Sequence, residues 1–580
     1  MRKAPKLAFR DFSGKLRPVK HAAASSLIQS RYPLAIVAGL LLAASFPKIG
    51  IAGLAWVAPA LMLAAALGKR GAESFRIGYV AGLAHYLASL YWLLLIPYRW
   101  HSIPLGPAAG WLSLSAYLAL YPATWVWLVA RVHSPRSTVH GPQSTVHSLE
   151  GAYPCWLPEG FGGVLARSWG QRTLWTISGA ALWVALEMVV VRLFTGFPWN
   201  LLGSSQYQMV PLIQIASITG AYGISFLVVW VSLSLLSAGL MVVLRPTLRS
   251  AWIGEIILPL VVVALVFNFG FRQLAGDSPS DRKLRLCLIQ PSIPQTLIWD
   301  TSRDRERFGD LIHLSEQALT SHPDLLVWPE AAVPSYARWD TNTYPAITNL
   351  VCQYRTWLIL GSDDLGLPAH PAPANEYEFY NASFLVNPAG EFVSRYRKRN
   401  LVVFGEYIPL VRWLPFVKWF TPIEGGFTPG DCPVPFTLTN LNVKTSTLIC
   451  FEDTFPHLAR ECAEDDTDFL VNLTNNGWFG ESAAQWQHAA AALFRAVENG
   501  LPLVRCSNNG LTGWVDAHGR LRQIFRDDRG TVYGAGFLTA EIPLPAAGER
   551  RAPTFYHRHG DWFGWACVGL AGIMLVFRRK

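Results

Sequence analysis

The chain has 580 residues and a formal net charge of +10; 51% of its residues are hydrophobic and 15% are charged. This composition is too apolar and too poor in charge for an ordinary soluble protein of this length. The positive charge does not indicate nucleic-acid binding, because the basic residues lie at the N-terminus and in short segments between apolar runs. The pattern predicts a protein that crosses a membrane several times.

Eight apolar runs have about the length of a membrane-spanning helix. We predict spans at 33–48, 51–67, 77–97, 107–130, 173–193, 220–243, 252–271 and 562–577. The first two runs are short, and one of them could be re-entrant. The many spans that follow the first run favour an uncleaved anchor over a signal peptide.

The basic residues predict the orientation of these spans. The leader 1–32 is rich in Lys and Arg, as is every second loop after it, including the loop with Arg167 and Arg172 and the C-terminal FRRK. Basic loops face the cytoplasm, so both termini are predicted to lie there and residues 272–561 to lie outside it. The predicted organisation is a leader at 1–32, a membrane domain at 33–271 with a flexible cytoplasmic insert at 132–170, an extracytoplasmic domain at 272–561, and a final span with its tail at 562–580.

The eight cysteines show neither a C-x-x-C pair nor zinc-ligand spacing. The sequence therefore predicts no metal site and no dense disulfide framework. A single bridge, such as one between Cys432 and Cys462, remains open.

Residues 284–545 have the pattern of an α/β domain. Short segments rich in β-branched residues predict strands. They are LRLCLIQPSI, DLLVWPE, WLILGSDD, NASFLVN, EFVSRYRK, TSTLICFED, DFLVNLTNN and PLVRCSNNGLTGWVD. Helical periods run from Phe308 to Leu319 and from Trp486 to Val497, and they predict two amphipathic helices. Together these elements predict sheets faced by helices.

Three of the predicted strands end in reactive side chains: Glu330, Lys398 and Cys450. A carboxylate could take the thiol proton, and an ammonium could stabilise the thiolate and an oxyanion, so the three suffice for acyl transfer. Each residue alone has another interpretation. Cys450 could be a buried structural thiol, Glu330 a helix start, and Lys398 part of a solvated basic face, while Glu406 and Glu452 could only form ion pairs.

The segments WPE, YRKRNLVVFGEYIP and LICFED, in this order, resemble the Glu-Lys-Cys triad of the nitrilase (C–N hydrolase) superfamily. Segments 181–206, 289–300 and 472–516 resemble the apolipoprotein N-acyltransferase family more specifically. The resemblance covers most of the chain apart from the leader and the insert 132–170.

The resemblance implies a polytopic α-helical membrane domain with about eight spans and a nitrilase-like α-β-β-α sandwich. It implies a bacterial inner-membrane enzyme, a monomer without a cofactor, whose catalytic domain is periplasmic. Such an enzyme transfers an acyl chain from a phospholipid of the phosphatidylethanolamine type to the α-amino group of the N-terminal diacylglyceryl-cysteine of an apolipoprotein. The implied mechanism is ping-pong, through a thioester on Cys450.

Residue roles follow from the same resemblance. Glu330 matches the general base and Lys398 the oxyanion stabiliser, with Glu406 and Glu452 as supporting acids. The residues expected near the lipid substrates or the entrance are Trp199, Trp299, Asn381, Phe451 and Trp478.

Three positions depart from the family pattern: Phe451, Val403 and Asn476 stand where Tyr, Pro and Asp are usual. They put substrate preference in doubt, but not the reaction class. Two alternatives to acyl transfer remain. One is a membrane-anchored amidase that hydrolyses a C–N bond with the same triad, and the other is a catalytically silent receptor or transporter component.

Overall fold

The computed structural model describes residues 31–69, 71–97, 105–131, 168–244, 249–276, 281–298, 300–367, 377–409, 426–546, 549 and 551–577. Nearly all of the leader 1–32 and of the insert 132–170 lies outside these ranges. So does Trp299.

The first part of the described chain is helical. Its main helices are α1 (Tyr32–Ala44), α2 (Ala58–Ala66), α3 (Ala72–Ser89), α4 (Gly106–Leu118), α5 (Leu120–Arg131), α6 (Trp169–Val190), α7 (Ala221–Leu244) and α8 (Arg249–Ala275). They overlap the predicted apolar runs, and α4 and α5 together cover 107–130. The segment between α6 and α7, which the predicted spans leave as a loop, instead contains short helical turns, among them Val210–Ile213 and Ala216–Thr219.

Four helical segments of the described chain are long and apolar enough to cross a bilayer: Gly106–Ala130, Trp169–Val190, Ala221–Val243 and Trp252–Ala275. Tyr32–Ala44, Ala52–Ala66, Val210–Thr219 and Trp562–Val576 are shorter apolar helices. The structure therefore supports a membrane-spanning helical part, and the count of eight spans stays a prediction.

Small residues allow the first helices to pack closely. A Cβ added at Gly39 of α1 would lie 2.1 Å from the carbonyl oxygen of Ala81 in α3, and one at Gly78 of α3 would lie 2.9 Å from Cα of Ala123 in α5. Larger side chains at these glycines would force the backbones apart, which is why small residues line such contacts in membrane proteins.

A buried ion pair joins α6 to α8. Arg172, which the charge pattern assigned to a loop, lies in the first turns of α6, is buried, and donates a hydrogen bond to Glu255 of α8. Both side chains are only 3% exposed, so this arginine belongs to the packing between helices.

Within the described ranges, twelve strands form two six-stranded sheets. The strands are β1 (Lys283–Gln290), β2 (Leu325–Val327), β3 (Trp357–Gly366), β4 (Glu378–Val386), β5 (Phe392–Arg397), β6 (Pro435–Leu438), β7 (Val443–Ile449), β8 (Phe469–Thr474), β9 (Leu503–Ser507), β10 (Gly513–Val515), β11 (Leu521–Ile524) and β12 (Gly536–Pro543). The order is β12-β1-β2-β3-β4-β5 in the first sheet and β11-β10-β9-β8-β7-β6 in the second. Strands β1 to β3 are parallel, as are β7 to β9, and the remaining pairs are antiparallel.

The two sheets pack face to face, and helices cover their outer faces. The core between them contains Leu286, Val327, Ile449, Val471 and Val504. Helices α9 (Asp304–Leu319) and α10 (Thr343–Tyr354) cover the first sheet, while α11 (Pro456–Cys462) and α12 (Ala484–Asn499) cover the second. The predicted α-β-β-α layering is thus present. Side chains of α12 also join one apolar cluster with the membrane helices, so this helix lies between the second sheet and the helical part.

Every predicted strand segment contains a strand, and the last one contains both β9 and β10. Strands β6, β11 and β12 and helices α10 and α11 were not predicted. All seven cysteines within the described residues are free, including Cys432 and Cys462, so the structure contains no bridge between those two.

The chain returns to the helical part through α13 (Phe555–His559) and α14 (Trp562–Phe577). Cys567 of α14 packs with Val184 and Met188 of α6, and Phe455, just after the Cys450 turn, joins the same cluster. Asp561 accepts a hydrogen bond from Arg192, beyond the end of α6. The last helix is therefore packed against an early one.

Candidate active site

Three strand ends bring the predicted reactive residues together. Glu330 follows β2 and Lys398 follows β5. These two strands of the first sheet are not neighbours, but they run in the same direction and end on the same side of the sheet. Cys450 follows β7 in the facing sheet. The sandwich therefore places a carboxylate, an ammonium and a thiol where its two sheets meet.

Lys398 lies between two carboxylates. Its Nζ donates to Oε1 of Glu406 at 2.8 Å and to Oε1 of Glu330 at 3.4 Å. Asn381 Nδ2 lies 2.9 Å from the same two oxygens, and the backbone N–H of Asn475 donates to Oε2 of Glu330 at 2.9 Å. Each carboxylate is thus oriented by several donors.

The charges around Lys398 keep it protonated. Burial alone would lower its pKa, since the side chain is 1% exposed, but the carboxylates of Glu406 and Glu330 outweigh that effect and raise the pKa above its ordinary value. Lys398 is therefore a fixed positive charge beside the thiol. Two of its three N–H groups are directed at carboxylates, which leaves one donor for another acceptor.

Cys450 has a strained backbone and a protonated thiol. Its φ is +52°, a left-handed conformation that costs a non-glycine residue on the order of 1–3 kcal/mol. Burial raises the pKa of the thiol to about 12; the charge of Glu330 adds to the rise, and Lys398 opposes it. The thiol must therefore lose its proton to a neighbouring base before it can attack.

Glu452 is buried and ties the Cys450 turn to the Lys398 loop. Its Oε2 accepts from the backbone N–H of Ile449 at 2.7 Å, and its Oε1 accepts from the backbone N–H groups of Arg399 and Asn400 at 2.7 and 3.1 Å. Tyr396 donates its hydroxyl to the same carboxylate at 2.9 Å. The Glu452 carboxylate therefore holds the residue before Cys450 and the residues after Lys398 in a fixed relative position.

An aromatic cluster connects this site to the membrane helices. The Trp199 ring lies 6.1 Å from that of Phe451, next to the nucleophile, and 5.1 Å from that of Trp92. Phe197 lies 5.8 Å from Phe451. Trp199 also lines a small cavity of about 40 Å³ within the helical part, walled mostly by apolar side chains that include Leu42, Phe46 and Trp125.

The other residues predicted near substrate have different positions. Trp478 is half-buried in the turn Asn476–Phe479, whose Phe479 ring lies 4.4 Å from Trp92. Asn381 is buried and bridges Glu330 and Glu406, so its observed contacts are with the acids. Trp299 lies outside the described residues.

Comparisons with known proteins identify the family. A family model described as the apolipoprotein N-acyltransferase N-terminal domain matches residues 38–234, and one described as carbon-nitrogen hydrolase matches residues 285–540. The apolipoprotein N-acyltransferase of Geobacter metallireducens is 36% identical over 95% of this chain and 96% of its own length. The chain belongs to the apolipoprotein N-acyltransferase family. The apolipoprotein N-acyltransferase of Methylococcus capsulatus is 30% identical over 94% of this chain and 96% of its own length.

Two solved structures also align with part of the chain. An amidase from Nesterenkonia sp. is 18% identical, with a TM-score of 0.32, and covers 49% of this chain and 98% of its own. A carbon-nitrogen hydrolase from Helicobacter pylori G27 is 18% identical, with a TM-score of 0.33, and covers 45% of this chain and 89% of its own.

This apolipoprotein N-acyltransferase family member has a further acidic residue at the site that the sequence did not reveal. Asp363 on β3 lies opposite Asn381 on β4. Burial, together with the charges of Glu406 and Glu330, raises the pKa of Asp363 to about 7. In the sequence it is one of two adjacent aspartates in a strand, and alternation alone could not assign either one to the site.

Polar residues around the Cys450 carbonyl were also missed. Asn472 on β8 and His488 on α12 both hydrogen-bond to that oxygen. His488 lies in a helix that the sequence described by its apolar positions, and Asn472 lies in a buried strand. The one available signal was the presence of polar side chains in segments predicted to be buried.

Proposed function

We propose that this chain transfers a fatty acyl chain from a phospholipid to the α-amino group of the N-terminal diacylglyceryl-cysteine of apolipoproteins. One observation carries the proposal: Lys398 bridges Glu330 and Glu406 beside Cys450, next to an aromatic cluster shared with apolar helices. A site in that position suits a reaction in which both substrates are anchored in a membrane.

The first half-reaction makes a thioester. Glu330 accepts the Cys450 proton, and the thiolate attacks the carbonyl carbon of the phospholipid ester. The remaining N–H of Lys398 stabilises the oxyanion. The carbon–oxygen bond then breaks, and the lysophospholipid leaves with the proton from Glu330.

The second half-reaction makes the amide. The α-amino group of the acceptor attacks the thioester carbonyl and gives a proton to Glu330. The carbon–sulfur bond breaks, and Cys450 recovers the proton as a thiol. No proton is gained or lost over the full cycle, and no cofactor takes part.

The remaining roles follow from position. Glu406 supports Lys398, Glu452 supports the Cys450 turn, and Trp199 and Phe451 offer apolar faces to the acyl chain. Trp299, Asn381 and Trp478 keep their proposed roles near the lipid substrates or the entrance. The donor is of the phosphatidylethanolamine type, and the enzyme acts as a monomer.

The proposal includes a bacterial inner-membrane location with eight spans. Both termini and the insert 132–170 lie in the cytoplasm, and residues 272–561 lie in the periplasm, as the basic loops indicate. The final span at 562–577 returns the chain to the cytoplasm. The site then opens at the outer surface of the membrane, where both substrates reside.

The test is detection of the thioester. The protein is purified in detergent and incubated with a phospholipid of defined acyl chain, with Cys450→Ala as the control, and intact and peptide masses are recorded. We expect the acyl mass on the Cys450 peptide, its removal by hydroxylamine, and its absence from the variant. Absence of the adduct with every phospholipid, even without acceptor, would overturn the proposed donor and favour a membrane-anchored amidase.

A further inference from the structure

The carbonyl group of Cys450 is held by two side chains. Asn472 Nδ2 donates to this oxygen at 2.9 Å, and His488 Nε2 lies 3.2 Å from it. The carbonyl belongs to the residue whose φ is +52°. The direction of the thiol depends on that backbone conformation, so the groups that hold the carbonyl influence where the sulfur points.

The hydrogen of His488 is on Nε2. Burial, with a contribution from Arg505, lowers the pKa of His488, so the ring is neutral and carries one N–H. Nε2 faces two acceptors, the Cys450 oxygen and Oδ1 of Asp453 at 2.6 Å. Arg505 pairs with the other oxygen of Asp453, so the carboxylate is itself fixed.

The other ring nitrogen of His488 has a compatible partner. Nδ1 lies 3.1 Å from the side-chain oxygen of Asn476, and the amide nitrogen of Asn476 has no partner among the described residues, so exchanging the two amide positions satisfies both groups. With that nitrogen turned toward the ring, Asn476 donates to Nδ1. His488 is then hydrogen-bonded at both nitrogens and has a single orientation.

The side chain of the preceding residue, Gln487, makes four hydrogen bonds within the described residues, all of them to the helical part. Its Oε1 accepts from the indole N–H groups of Trp92 and Trp199 at 3.0 and 2.8 Å. Its Nε2 donates to the carbonyl oxygens of Pro47 and Ser89 at 2.8 and 3.1 Å. One buried amide thus joins α12 to three separate segments of the membrane part.

We propose that Gln487 and His488 are positioning residues that connect the membrane helices to the backbone of the nucleophile. Gln487 fixes the first turn of α12 against Trp92 and Trp199, and His488 holds the Cys450 carbonyl from the same turn. The Trp199 ring also lies 5.2 Å from the His488 ring, so the two contacts form one continuous unit. This inference rests on the proposed function, because it assigns the pair to the acylation of Cys450.

The experiment separates the rate of acylation from the amount of folded protein. Full-length variants in detergent are mixed with excess phospholipid of defined acyl chain, and the acylated Cys450 peptide is followed over time by mass. The amplitude reports the competent fraction, and the rate constant reports how well the thiol is positioned. A purely structural role would lower the amplitude and the melting temperature without changing the rate constant.

We expect His488→Leu to lower the rate constant on the order of 100-fold, as for other misplaced reacting groups. His488→Gln places an amide nitrogen near the position of Nε2, and it should restore most of the rate. Gln487→Leu should lower the rate constant as well, although it leaves His488 in place. The matched control is His518→Leu, which removes another contact between the two parts, to Gln214, away from Cys450.

Equal rate constants in wild type and His488→Leu would overturn the inference. So would an equal fall of the rate constant in His488→Gln and His488→Leu. If His488→Leu does not fold, His488→Asn replaces it, because its shorter amide cannot reach the carbonyl. Alkylation of Cys450 by iodoacetamide is measured in parallel. If wild type forms no lipid thioester, the proposed function fails, and the alkylation rates of the same variants still decide the positioning role.

Discussion

Glu330 has two opposite effects on Cys450. Its charge raises the pKa of the thiol, yet its oxygen can accept the thiol proton during attack. Glu330→Gln separates the two effects, because the amide is neutral and is not a base. We expect faster alkylation of Cys450 by iodoacetamide at pH 8.5, and acyl transfer slower by about 100-fold or more.

Both rates can be measured on the Cys450 peptide by mass. Glu391→Gln, at an exposed position, is the control and should change neither rate. Acyl transfer at the wild-type rate in Glu330→Gln would contradict the assignment of Glu330 as the base.

Asp363 should make stability depend on pH. The unfolded chain releases this proton near the ordinary pKa of about 4, whereas the folded protein releases it at about 7. Between these values the folded state holds more protons, so the free energy of unfolding falls as the pH rises from about 4 to about 7 and is level above that. Asp363→Asn removes this fall.

Melting temperatures in detergent from pH 5 to pH 8 test this prediction. We expect the melting temperature of Asp363→Asn to exceed that of wild type by an amount that grows toward pH 7 and is constant above it. Asp310→Asn, at an exposed position on α9, should show no such trend. A difference between Asp363→Asn and wild type that does not change with pH would rule out titration of Asp363 as the cause.

The sequence allowed a residue to be assigned to the site only where that residue lies in a local motif. Glu330, Lys398 and Cys450 each end a recognisable strand, and the structure brings them together. The bridging contacts of Asn381 and the proximity of Asp363 depend on which residues of β3 and β4 lie opposite each other. The sequence does not encode that register locally, so neither feature could be predicted from it.

Helix α12 shows where a periodicity argument fails for an element. The apolar positions from Trp486 to Val497 predicted one buried face, yet Gln487, His488, Arg495 and Glu498 are also buried. The helix is enclosed by the second sheet on one side and the membrane helices on the other. Only the relative placement of two domains makes its polar residues internal.

The ion pair between α6 and α8 gives a prediction for these helices. Glu255→Ala leaves the buried Arg172 guanidinium without its carboxylate, which should destabilise the protein by about 3–5 kcal/mol. The double variant Arg172→Met/Glu255→Met should recover most of that loss, because apolar replacement of both partners is often neutral.

Thermal or denaturant unfolding in detergent measures these changes. Arg76→Ala is the control, since Arg76 is 69% exposed and its pair with Glu73 spans 3.9 Å, so the effect should be about 0–1 kcal/mol. Equal destabilisation of the single and double Glu255 variants would show that the pair itself is not the source.

At the scale of the whole molecule, the exposed cysteines can test the orientation. Cys352 and Cys432 are exposed and belong to the part proposed to lie outside the cytoplasm. We expect a membrane-impermeant maleimide to label both in intact spheroplasts. In a chain whose Cys352 and Cys432 are replaced by Ser, Lys69→Cys, at an exposed position in a loop proposed to be cytoplasmic, should be labelled only after permeabilisation. The reverse pattern would invert the proposed topology.

The division into a helical part and an α/β part followed from composition, because the two parts differ in hydropathy and in period. Their contact surface did not follow from it. The bonds from Gln487 to Pro47, Ser89, Trp92 and Trp199 join residues hundreds of positions apart. No window of sequence carries the information that such contacts require.

The strand order has a consequence for biosynthesis. Strand β12 pairs with β1, and α14 packs on α6, so residues made late complete structures begun much earlier. Until residues 536–543 emerge from the ribosome, one side of β1 is an open edge with unpaired N–H and C=O groups, a template for aggregation. A chain stopped before that point lacks the strand that closes the first sheet and the helix that completes the bundle. Nonsense variants near the C-terminus should therefore be cleared by proteolysis and not accumulate as partly active enzyme.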